Sequence, residues 1–445
     1  MADWHRVAAS IRDPDSWVET DGTVFRRHFR AESSWRDVAA AEAAGLFASL
    51  GADGLIPDHE LVAGHDGPGE LHTAAIAPVS LPSEWTFGML RDAALLTLEV
   101  SRRALEAGFE LKDASAFNVV FDGTEPRFVD LGSIRSGYSG HWPAFSQFHD
   151  HFANPLVALS EGLPVTGLRW PSTGVPLDVV APLAPRTGAG RSLVRSRLWA
   201  EKVSSRLGDD ARRRVATTEV PLPKTLALLD KTRQRIERIP EPPEGLWASY
   251  ERRLPYDAEA VDRKERLVGE FAEAVGAVDT ALDVGCNTGR FSRIASATAG
   301  RVVAIDTDAS AVDELYRSAP AGISPMVVDI AQPTPPTGWA GREHAGWLDR
   351  MPTFDLSLWL AVIHHLALSQ GIRFEPLAAF VAERSTTAII EWVAPDDPQV
   401  AAIRARDLPD WYTRDGLVGA LEGAGFSIMR TEPVSGTREL WLLTR

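Results

Sequence analysis

Two aspartates end consecutive apolar runs on either side of a glycine turn. The run 281–282 leads into Asp283, the turn 285–289 (GCNTG) follows, and the run 301–305 leads into Asp306. Glycines let a ligand approach the backbone closely, and an acid at the tip of a neighbouring strand can hold both hydroxyls of a ribose. These residues predict a nucleoside-binding site at the carboxyl edge of a parallel sheet.

The glycine turn differs from the loops that grip phosphates. It has only Gly285 and Gly289, so it is neither GxGxxG nor GxxxxGK[ST], and no lysine is placed to cradle phosphates. Such a loop suits a nucleoside without phosphate. The alternative is an ordinary strand–helix turn in which the two glycines serve only backbone geometry.

Further segments follow in a set order. DVGCNTG with a downstream VVAID resembles the first two motifs of class I S-adenosylmethionine-dependent methyltransferases. MVVDI (326–330), FDLSLWLAVIHHL (354–366) and AIIEWV (388–393) then resemble the third to fifth strands of that family. The resemblance covers about residues 246–445. It implies an α/β fold, a Rossmann-like doubly wound sheet that closes with an antiparallel strand pair.

The resemblance also implies a cofactor, S-adenosylmethionine, and the residues that bind it. Asp329 would meet the adenine amino group, and a helix ahead of the first strand would cover the cofactor. On the alternative interpretation that helix is simply solvated and amphipathic. The cofactor-binding residues that the resemblance predicts are Asp283, Gly285, Cys286, Asn287, Gly289, Asp306, Asp329, Ile330, Tyr250 and Lys264.

His364 and His365 follow the fourth strand, where an acceptor would lie. Histidine titrates near neutrality and can take the proton of an oxygen nucleophile, so both are candidate catalytic bases. Alternatively, either one only packs against the strand end. No Asn-Pro-Pro-Tyr-type amide motif follows this strand, which favours a non-amide acceptor. The sequence itself does not distinguish O- from N-methylation, and we expect O-methylation of a small-molecule or sugar-like acceptor. Glu391 and the acids 396–397 could bind a polar substrate or a divalent cation, although a solvated loop is favoured for 396–397.

The first half of the chain has a second pattern. Asp113 precedes Asn118 by five residues, a hairpin turn follows at 122–123, and Asp130 begins an Asp-Leu-Gly sequence. This order resembles the protein-kinase-like fold, in which the equivalents of Asn118 and Asp130 hold Mg²⁺. The resemblance implies an α+β domain over residues 1–225, with a linker at 226–245 and the methyltransferase domain at 246–445.

The kinase-like pattern is incomplete. There is no glycine-rich phosphate loop, no His-Arg precedes Asp113, and Arg26 or Arg27 stands where a kinase strand carries lysine, with Glu42 as a candidate partner. An active small-molecule kinase, a degenerate kinase that binds substrate or nucleotide, and a chance pattern all stay open, with the degenerate kinase favoured. The order of the two halves resembles a bacterial family of nodulation-associated methyltransferases.

Composition limits the partners. The net charge of −15 and the lack of a basic stripe argue against nucleic acid. No apolar run is long enough to span a membrane, and a single cysteine without an export signal predicts a cytoplasmic protein. We therefore expect a small-molecule acceptor as partner and leave the oligomeric state open. Two other functions compete with methyl transfer: a non-catalytic cofactor-binding sensor or assembly protein, and a bifunctional kinase–methyltransferase.

Overall fold

The chain forms two compact units in a computed structural model. Unit 1 comprises Met1–Pro243 and Pro335–Gly346, and unit 2 comprises Glu244–Thr334 and Trp347–Arg445. The residues that the structure describes are 4–64, 67–164, 172–183, 188–206, 219–243, 258–403 and 408–445.

The division differs from the predicted boundaries in two places. Helix Leu222–Glu237 belongs to unit 1 and buries Leu229 and Ile236, so residues 226–237 are part of a packed helix of unit 1 rather than a linker. The prolines that follow this helix end it, but the helix remains part of unit 1. The segment Pro335–Gly346, predicted as part of the methyltransferase domain, also belongs to unit 1.

Two contacts explain why Pro335–Gly346 belongs to unit 1. Arg12 Nε donates to Glu343 Oε1 at 2.6 Å, and the His344 ring stacks on Phe117 with centroids 4.1 Å apart. Both partners of each contact lie in unit 1. No composition shift marks this segment, so it could not be separated from its flanks in the sequence.

Unit 1 combines a small antiparallel sheet with a mainly helical part. Its sheet has the order β1-β2-β3-β5-β4, and β6 pairs with β9 and β7 with β8. The strands are β1 His5–Arg6, β2 Ser16–Thr20, β3 Val24–Phe29, β4 His59–Val62, β5 Glu70–Ala74, β6 Phe109–Leu111, β7 Val119–Asp122, β8 Glu125–Phe128 and β9 Ile134–Ser136. The helices are α1 Glu32–Ala43, α2 Leu46–Ala52, α3 Phe87–Glu106, α4 Phe145–Phe148, α5 Asn154–Ser160, α6 Leu177–Val180, α7 Gly188–Arg206 and α8 Leu222–Glu237.

The central helix α3 is specified by local sequence. Thr86 caps its N-terminus, where the side chain accepts a hydrogen bond from the Met89 N–H at 3.1 Å. Gly108 follows its C-terminus with φ +86°, a conformation that residues with a side chain rarely adopt. The predicted hairpin also forms, since β7 and β8 turn at Gly123 with φ +63°.

Unit 2 is one seven-stranded sheet flanked by helices, with the strand order β12-β11-β10-β13-β14-β16-β15. Its strands are β10 Val278–Val284, β11 Ala299–Asp306, β12 Ile323–Val327, β13 Phe354–Trp359, β14 Ser385–Val393, β15 Ser427–Ser435 and β16 Arg438–Thr444. Its helices are α9 Ala258–Val275, α10 Arg290–Ala295, α11 Ala309–Ser318, α12 Trp347–Arg350, α13 Ile363–Leu368, α14 Phe374–Arg384, α15 Pro398–Ile403 and α16 Arg414–Gly423.

Strands β10 to β14 are parallel, whereas β16 runs antiparallel to both β14 and β15. The predicted doubly wound sheet with a closing antiparallel pair is therefore confirmed. Alternate side chains of β10 enter different cores: Leu282 packs on one face of the sheet and Ala281 on the other. Burial on both faces explains why these strands read as continuous apolar runs.

Within the described residues, no helix is long and apolar enough to cross a membrane.

Candidate functional site

A cavity of about 870 Å³ opens at the carboxyl ends of the parallel strands of unit 2. Its walls come from the first turns of α9, the glycine turn after β10, the ends of β11 and β14, and the segments that follow β12 and β13. Parallel strands present their carboxyl ends at one edge, so residues far apart in sequence meet there. This volume is in the usual range for a small-molecule site.

Asp306 ends β11 and lines this cavity. Its Oδ2 accepts the Asn287 N–H and its Oδ1 accepts the Asp308 N–H, both at 2.9 Å. Each oxygen keeps a second lone-pair direction for another donor. Burial raises the pKa of Asp306 above its ordinary value. The carboxylate is thus held in place by backbone groups while it can still accept two hydroxyl hydrogens.

The glycine turn is tied to β11 by its backbone. The N–H groups of Gly285 and Cys286 both donate to the Ile305 carbonyl, at 2.9 and 3.0 Å. Gly285 has φ +74°, and a Cβ at this position would lie 2.5 Å from Val362 Cγ2. The glycine is therefore required by the close approach of Val362, a protein side chain, as well as by its backbone conformation.

Two of the predicted cofactor-binding residues support the turn from beneath instead of lining the cavity. Gly289 has φ +82°, and a side chain here would collide with Leu315. Asp283 is 1% exposed and accepts a hydrogen bond from Ser292 Oγ at 2.6 Å. Burial raises the pKa of Asp283 to about 6. Asp283 and Gly289 therefore help to position the loop, and neither of them lines the cavity.

The remaining predicted residues are brought together as follows. Cys286, Asn287, Asp329 and Ile330 line the cavity together with Lys264. Cys286 is buried, and burial raises the pKa of its thiol, so it is an unreactive small side chain. Tyr250 lies outside the described residues.

A buried ion network crosses one wall of the cavity. Lys264 Nζ of α9 lies 2.6 Å from Glu391 Oε2 at the end of β14, and Arg438 Nη1 of β16 lies 3.3 Å from Glu391 Oε1. Arg438 also forms a bidentate pair with Asp397, at 2.9 and 3.1 Å. All four charged side chains line the cavity. The network contains two cations and two carboxylates, so it is polar without net charge.

Interactions within this network lower the pKa values of both acids. Burial opposes ionisation of Glu391, but the Lys264 and Arg438 charges hold its pKa below its ordinary value. Burial likewise opposes ionisation of Asp397, but hydrogen bonds from Arg438 and Thr437 lower its pKa. The prediction of a solvated loop is wrong for Asp397, which is 3% exposed. Sequence reasoning did not identify Arg438, because an arginine at the start of an antiparallel strand has no local signal for a partner 47 residues away.

The two candidate bases occupy different environments. His365 lines the cavity, and burial followed by the Arg438 charge lowers its pKa. His364 is 1% exposed and is absent from the cavity wall, and burial followed by His365 lowers its pKa to about 3. Both rings are therefore neutral near pH 7. A molecule in the cavity reaches His365, whereas His364 packs in the core.

One strained residue borders the cavity and was not identified from the sequence. Ala361, the second residue after β13, has φ +56° and lines the cavity between Leu360 and Val362. A left-handed conformation at a non-glycine residue costs about 1–3 kcal/mol and is frequent at functional sites. It turns the chain so that Val362 reaches Gly285 and His365 faces the cavity. An alanine has no sequence signal for this conformation.

The kinase-like residues of unit 1 are also brought together. Asn118 Nδ2 donates to Asp113 Oδ1 at 3.1 Å, and burial followed by the Asp130 charge raises the pKa of Asp113. Asp130 is paired with Arg27 at 2.5 Å. Glu42 pairs with His59 and not with an arginine of β3. Asn118 and Asp130 thus lie in one polar centre.

A relative of known name matches nearly the whole chain. The nodulation protein NoeA of Rhizobium meliloti (strain 1021) is 30% identical over 448 residues, which span 94% of this chain and 91% of that protein. The chain belongs to the NoeA family of nodulation proteins. No protein-family profile matches it.

Two solved structures are similar to part of the chain. The N-methyltransferase NodS from Bradyrhizobium japonicum WM9 has a TM-score of 0.33 and 14% identity, over 42% of this chain and 96% of that one. The magnesium protoporphyrin IX methyltransferase of Synechocystis PCC 6803, crystallised with S-adenosylmethionine, has a TM-score of 0.31 and 18% identity, over 43% of this chain and 85% of that one.

The ion network should contribute strongly to stability. Glu391→Gln leaves Lys264 and Arg438 without their shared buried partner, which typically costs about 3–5 kcal/mol of unfolding free energy. The control Glu375→Gln removes one partner of an exposed pair with Arg373 and should change this free energy by at most about 1 kcal/mol. Urea unfolding at neutral pH measures both.

The effect of Glu391→Gln should depend on pH with a defined sign. The folded-state pKa of Glu391 lies below its ordinary 4.5, so its ionised form stabilises the protein above that pH. This contribution is lost as the pH falls through the lowered value. The difference between wild type and Glu391→Gln should therefore shrink in acid. Equal stability of the two proteins at neutral pH would contradict the structural role of the network.

Proposed function

We propose that unit 2 is an S-adenosylmethionine-dependent methyltransferase that methylates an oxygen of a small-molecule or sugar-like acceptor. The observation that carries this proposal is the Asp306 carboxylate at the tip of β11, aligned by two backbone N–H groups and directed at an 870 Å³ cavity. An acid in this place recognises the two hydroxyls of a ribose. Asp329 and Ile330 follow the neighbouring strand β12 and border the same cavity, next to where a base would lie.

The glycine turn favours a ligand whose nucleoside carries a sulfonium group and no phosphates. The turn offers no lysine at its own residues, and Lys264 from α9 is occupied by Glu391 and by the face of Phe291, 4.8 Å from the ring centroid. A phosphate group would need free cationic or N–H donors. The Gly285 and Cys286 N–H groups are already bound to Ile305.

When bound, the cofactor supplies a methyl group on a positively charged sulfur, with a neutral thioether as the leaving group. The protein's task is then alignment and proton removal. In the proposal His365 would accept the proton of the acceptor hydroxyl, so that the hydroxyl oxygen could bond to the methyl group that the cofactor supplies. A neutral imidazole is required for this, and burial keeps His365 neutral.

The polar wall supports an acceptor rich in hydroxyl groups. Glu391 and Asp397 line the cavity with carboxylate oxygens, and Ser369, Gln370 and Gln399 add hydroxyl and amide groups. The network has no net charge, so it favours a polar neutral acceptor over a strongly anionic or cationic one. This composition is the reason for preferring a sugar-like molecule among small acceptors.

Unit 1 is proposed to be a degenerate kinase-like domain that recognises the acceptor. Its five-stranded antiparallel sheet with α1 after β3, its long helix α3, the Asp113–Asn118 pair and the β7–β8 hairpin before Asp130 occur in kinase order. The sequence lacks the glycine-rich loop and the strand lysine that grip nucleotide phosphates. Recognition without phosphoryl transfer fits both observations.

Asp306→Ala should weaken S-adenosylmethionine binding at least about tenfold, because each charge-assisted hydrogen bond it makes to a ribose hydroxyl contributes about 1.5–3 kcal/mol. Isothermal titration calorimetry measures the affinity. Asp279→Ala is the matched control, since Asp279 is exposed at the opposite end of the sheet. The same affinity in wild type and in a folded Asp306→Ala protein would reject the cofactor assignment.

His365→Ala should reduce turnover about 100-fold or more, the usual effect of losing a general base, and leave cofactor affinity nearly unchanged. His364→Leu, of similar volume, should keep turnover within a few-fold of wild type. Because the pKa of His365 is lowered, wild-type turnover should stay level down to its ordinary 6.5 and fall only in more acid solution. Product is followed by mass spectrometry with isotope-labelled methyl groups on pooled sugars and hydroxylated metabolites. Full turnover in His365→Ala would show that His365 is not a general base and that the protein acts only by aligning acceptor and cofactor.

Unit 1 should show no phosphoryl transfer from ATP. The release of labelled phosphate by the wild type should equal that of Asp130→Ala and of a protein-free blank. Unit 1 lacks the glycine-rich loop and the strand lysine that would donate hydrogen bonds to the phosphates of ATP. A substantial ATPase rate that disappears in Asp130→Ala would contradict this proposal and support a bifunctional kinase–methyltransferase instead.

A further inference from the structure

The polar centre of unit 1, which consists of Asp13, Arg27, Asp113, Asn118 and Asp130, contains a cation of its own. We infer that the Arg27 guanidinium takes the place of the divalent metal that a kinase-like centre would hold, so that unit 1 works without Mg²⁺. This inference goes beyond the proposed function of unit 2 and does not depend on it.

The first observation is the pairing of Arg27 itself. Its Nη2 donates to Asp130 Oδ1 at 2.5 Å, and its Nη1 donates to Asp13 Oδ2 at 2.9 Å and to Ser16 Oγ at 2.8 Å. The side chains of Arg27 and Asp130 are 17% and 18% exposed, so solvent screens this pair only in part. One guanidinium thereby bridges two carboxylates from distant parts of the chain, which is the usual task of a bound metal.

The second observation concerns the glycine of the Asp130-Leu131-Gly132 sequence. A Cβ on Gly132 would lie 3.0 Å from both Cδ and Nε of Arg27. Such a distance is closer than ordinary van der Waals contact, so a side chain at residue 132 would force Arg27 to shift by a few tenths of an ångström. Gly132 does not adopt a positive φ in this structure, and backbone conformation therefore does not explain the glycine. The space that it leaves is filled by the arginine.

The third observation is that Asn118 and Asp113 are engaged with each other. The Asn118 amide donates to Asp113 Oδ1, which also accepts the Ser115 N–H at 2.8 Å. Mg²⁺ requires oxygen ligands at about 2.1 Å in octahedral geometry, and a guanidinium bound to one of them would repel it. Among the described residues, no group of three or more Asp, Glu, His or Cys side chains is arranged to hold a metal ion. A magnesium ion at Asn118 and Asp130, which the kinase-like pattern would imply, therefore does not fit this arrangement.

Removal of Arg27 should leave two carboxylates without a compensating cation. Without the guanidinium, the carboxylates of Asp13 and Asp130 would repel each other across the space it vacates. Two carboxylates and a nearby amide oxygen suit a hard divalent cation. The Arg27→Ala protein should therefore acquire a metal site that the wild type lacks.

Mn²⁺ binding to the full-length protein tests this, followed by the loss of the free-ion signal in electron paramagnetic resonance. Arg27→Ala should bind one Mn²⁺ at least about tenfold more tightly than wild type. Arg26→Ala is the matched control: Arg26 is the neighbour on β3, where it packs over the Trp4 ring at 3.6 Å, and its removal should create no site. Adding Asp130→Asn to Arg27→Ala should abolish the new site.

Thermal unfolding with and without Mg²⁺ gives a second readout that does not depend on activity. A metal that binds only the folded state raises its melting temperature. Mg²⁺ should raise the melting temperature of Arg27→Ala and leave that of the wild type unchanged. If Arg27→Ala does not fold, Arg27→Gln replaces it, since glutamine removes the charge and keeps an amide donor for Ser16.

Two results would overturn the inference. The first is a single Mn²⁺ site in the wild type that Asp130→Asn removes, which would show that a metal displaces Arg27 from the carboxylates. The second is a folded Arg27 variant that binds Mn²⁺ no better than Arg26→Ala. Neither result would affect cofactor binding by Asp306 in unit 2, so failure here is distinguishable from failure of the proposed methyltransferase function.

Discussion

The candidate site depends on the hydrogen bonds that join the glycine turn to the end of β11. The Ile305 carbonyl binds two N–H groups of the turn, and the Asp306 carboxylate binds the Asn287 N–H. A carboxylate at a strand tip would otherwise be free to rotate and would lose conformational entropy on binding a ligand. Because the backbone already orients Asp306, the groups that a ribose would meet are in place beforehand. The cavity walls are arranged around this fixed corner.

Another wall of the cavity is held together by ion pairs. Lys264, Glu391, Arg438 and Asp397 come from α9, β14, β16 and the loop before α15, and their pairing ties these four elements together. Desolvation of buried ions is costly, so such a network stabilises the fold only while every member keeps its partner. The same side chains give the cavity a polar surface next to His365. Residues that stabilise the fold therefore also line the cavity, and the ionic geometry limits which substitutions this wall tolerates.

In unit 1 an arginine also pairs with carboxylates, and there it occupies the place of a metal ion. Its carboxylates are also brought together from distant segments, and Arg27 compensates their charge from within the chain. A guanidinium satisfies two carboxylates by directed hydrogen bonds, whereas a metal would need open coordination positions. An internal cation keeps the centre assembled without a bound ion. Unit 1 and unit 2 thus each use a buried or half-buried arginine to organise acids.

The sequence by itself determined the elements whose signals are local. The apolar runs of β10 and β11, the turn glycines, the capped helix α3 and the β7–β8 hairpin could all be predicted, because propensity and turn chemistry act over a few residues. The tertiary structure alone decided three things. It separated His365, on the cavity wall, from His364, in the core, since adjacent helical residues face different directions. It joined Arg438 to Glu391 and Arg27 to Asp130, pairs separated by 47 and 103 residues. It also placed Pro335–Gly346 in unit 1. Contacts between distant residues leave no local pattern in a single sequence, because only the folded chain brings the partners together.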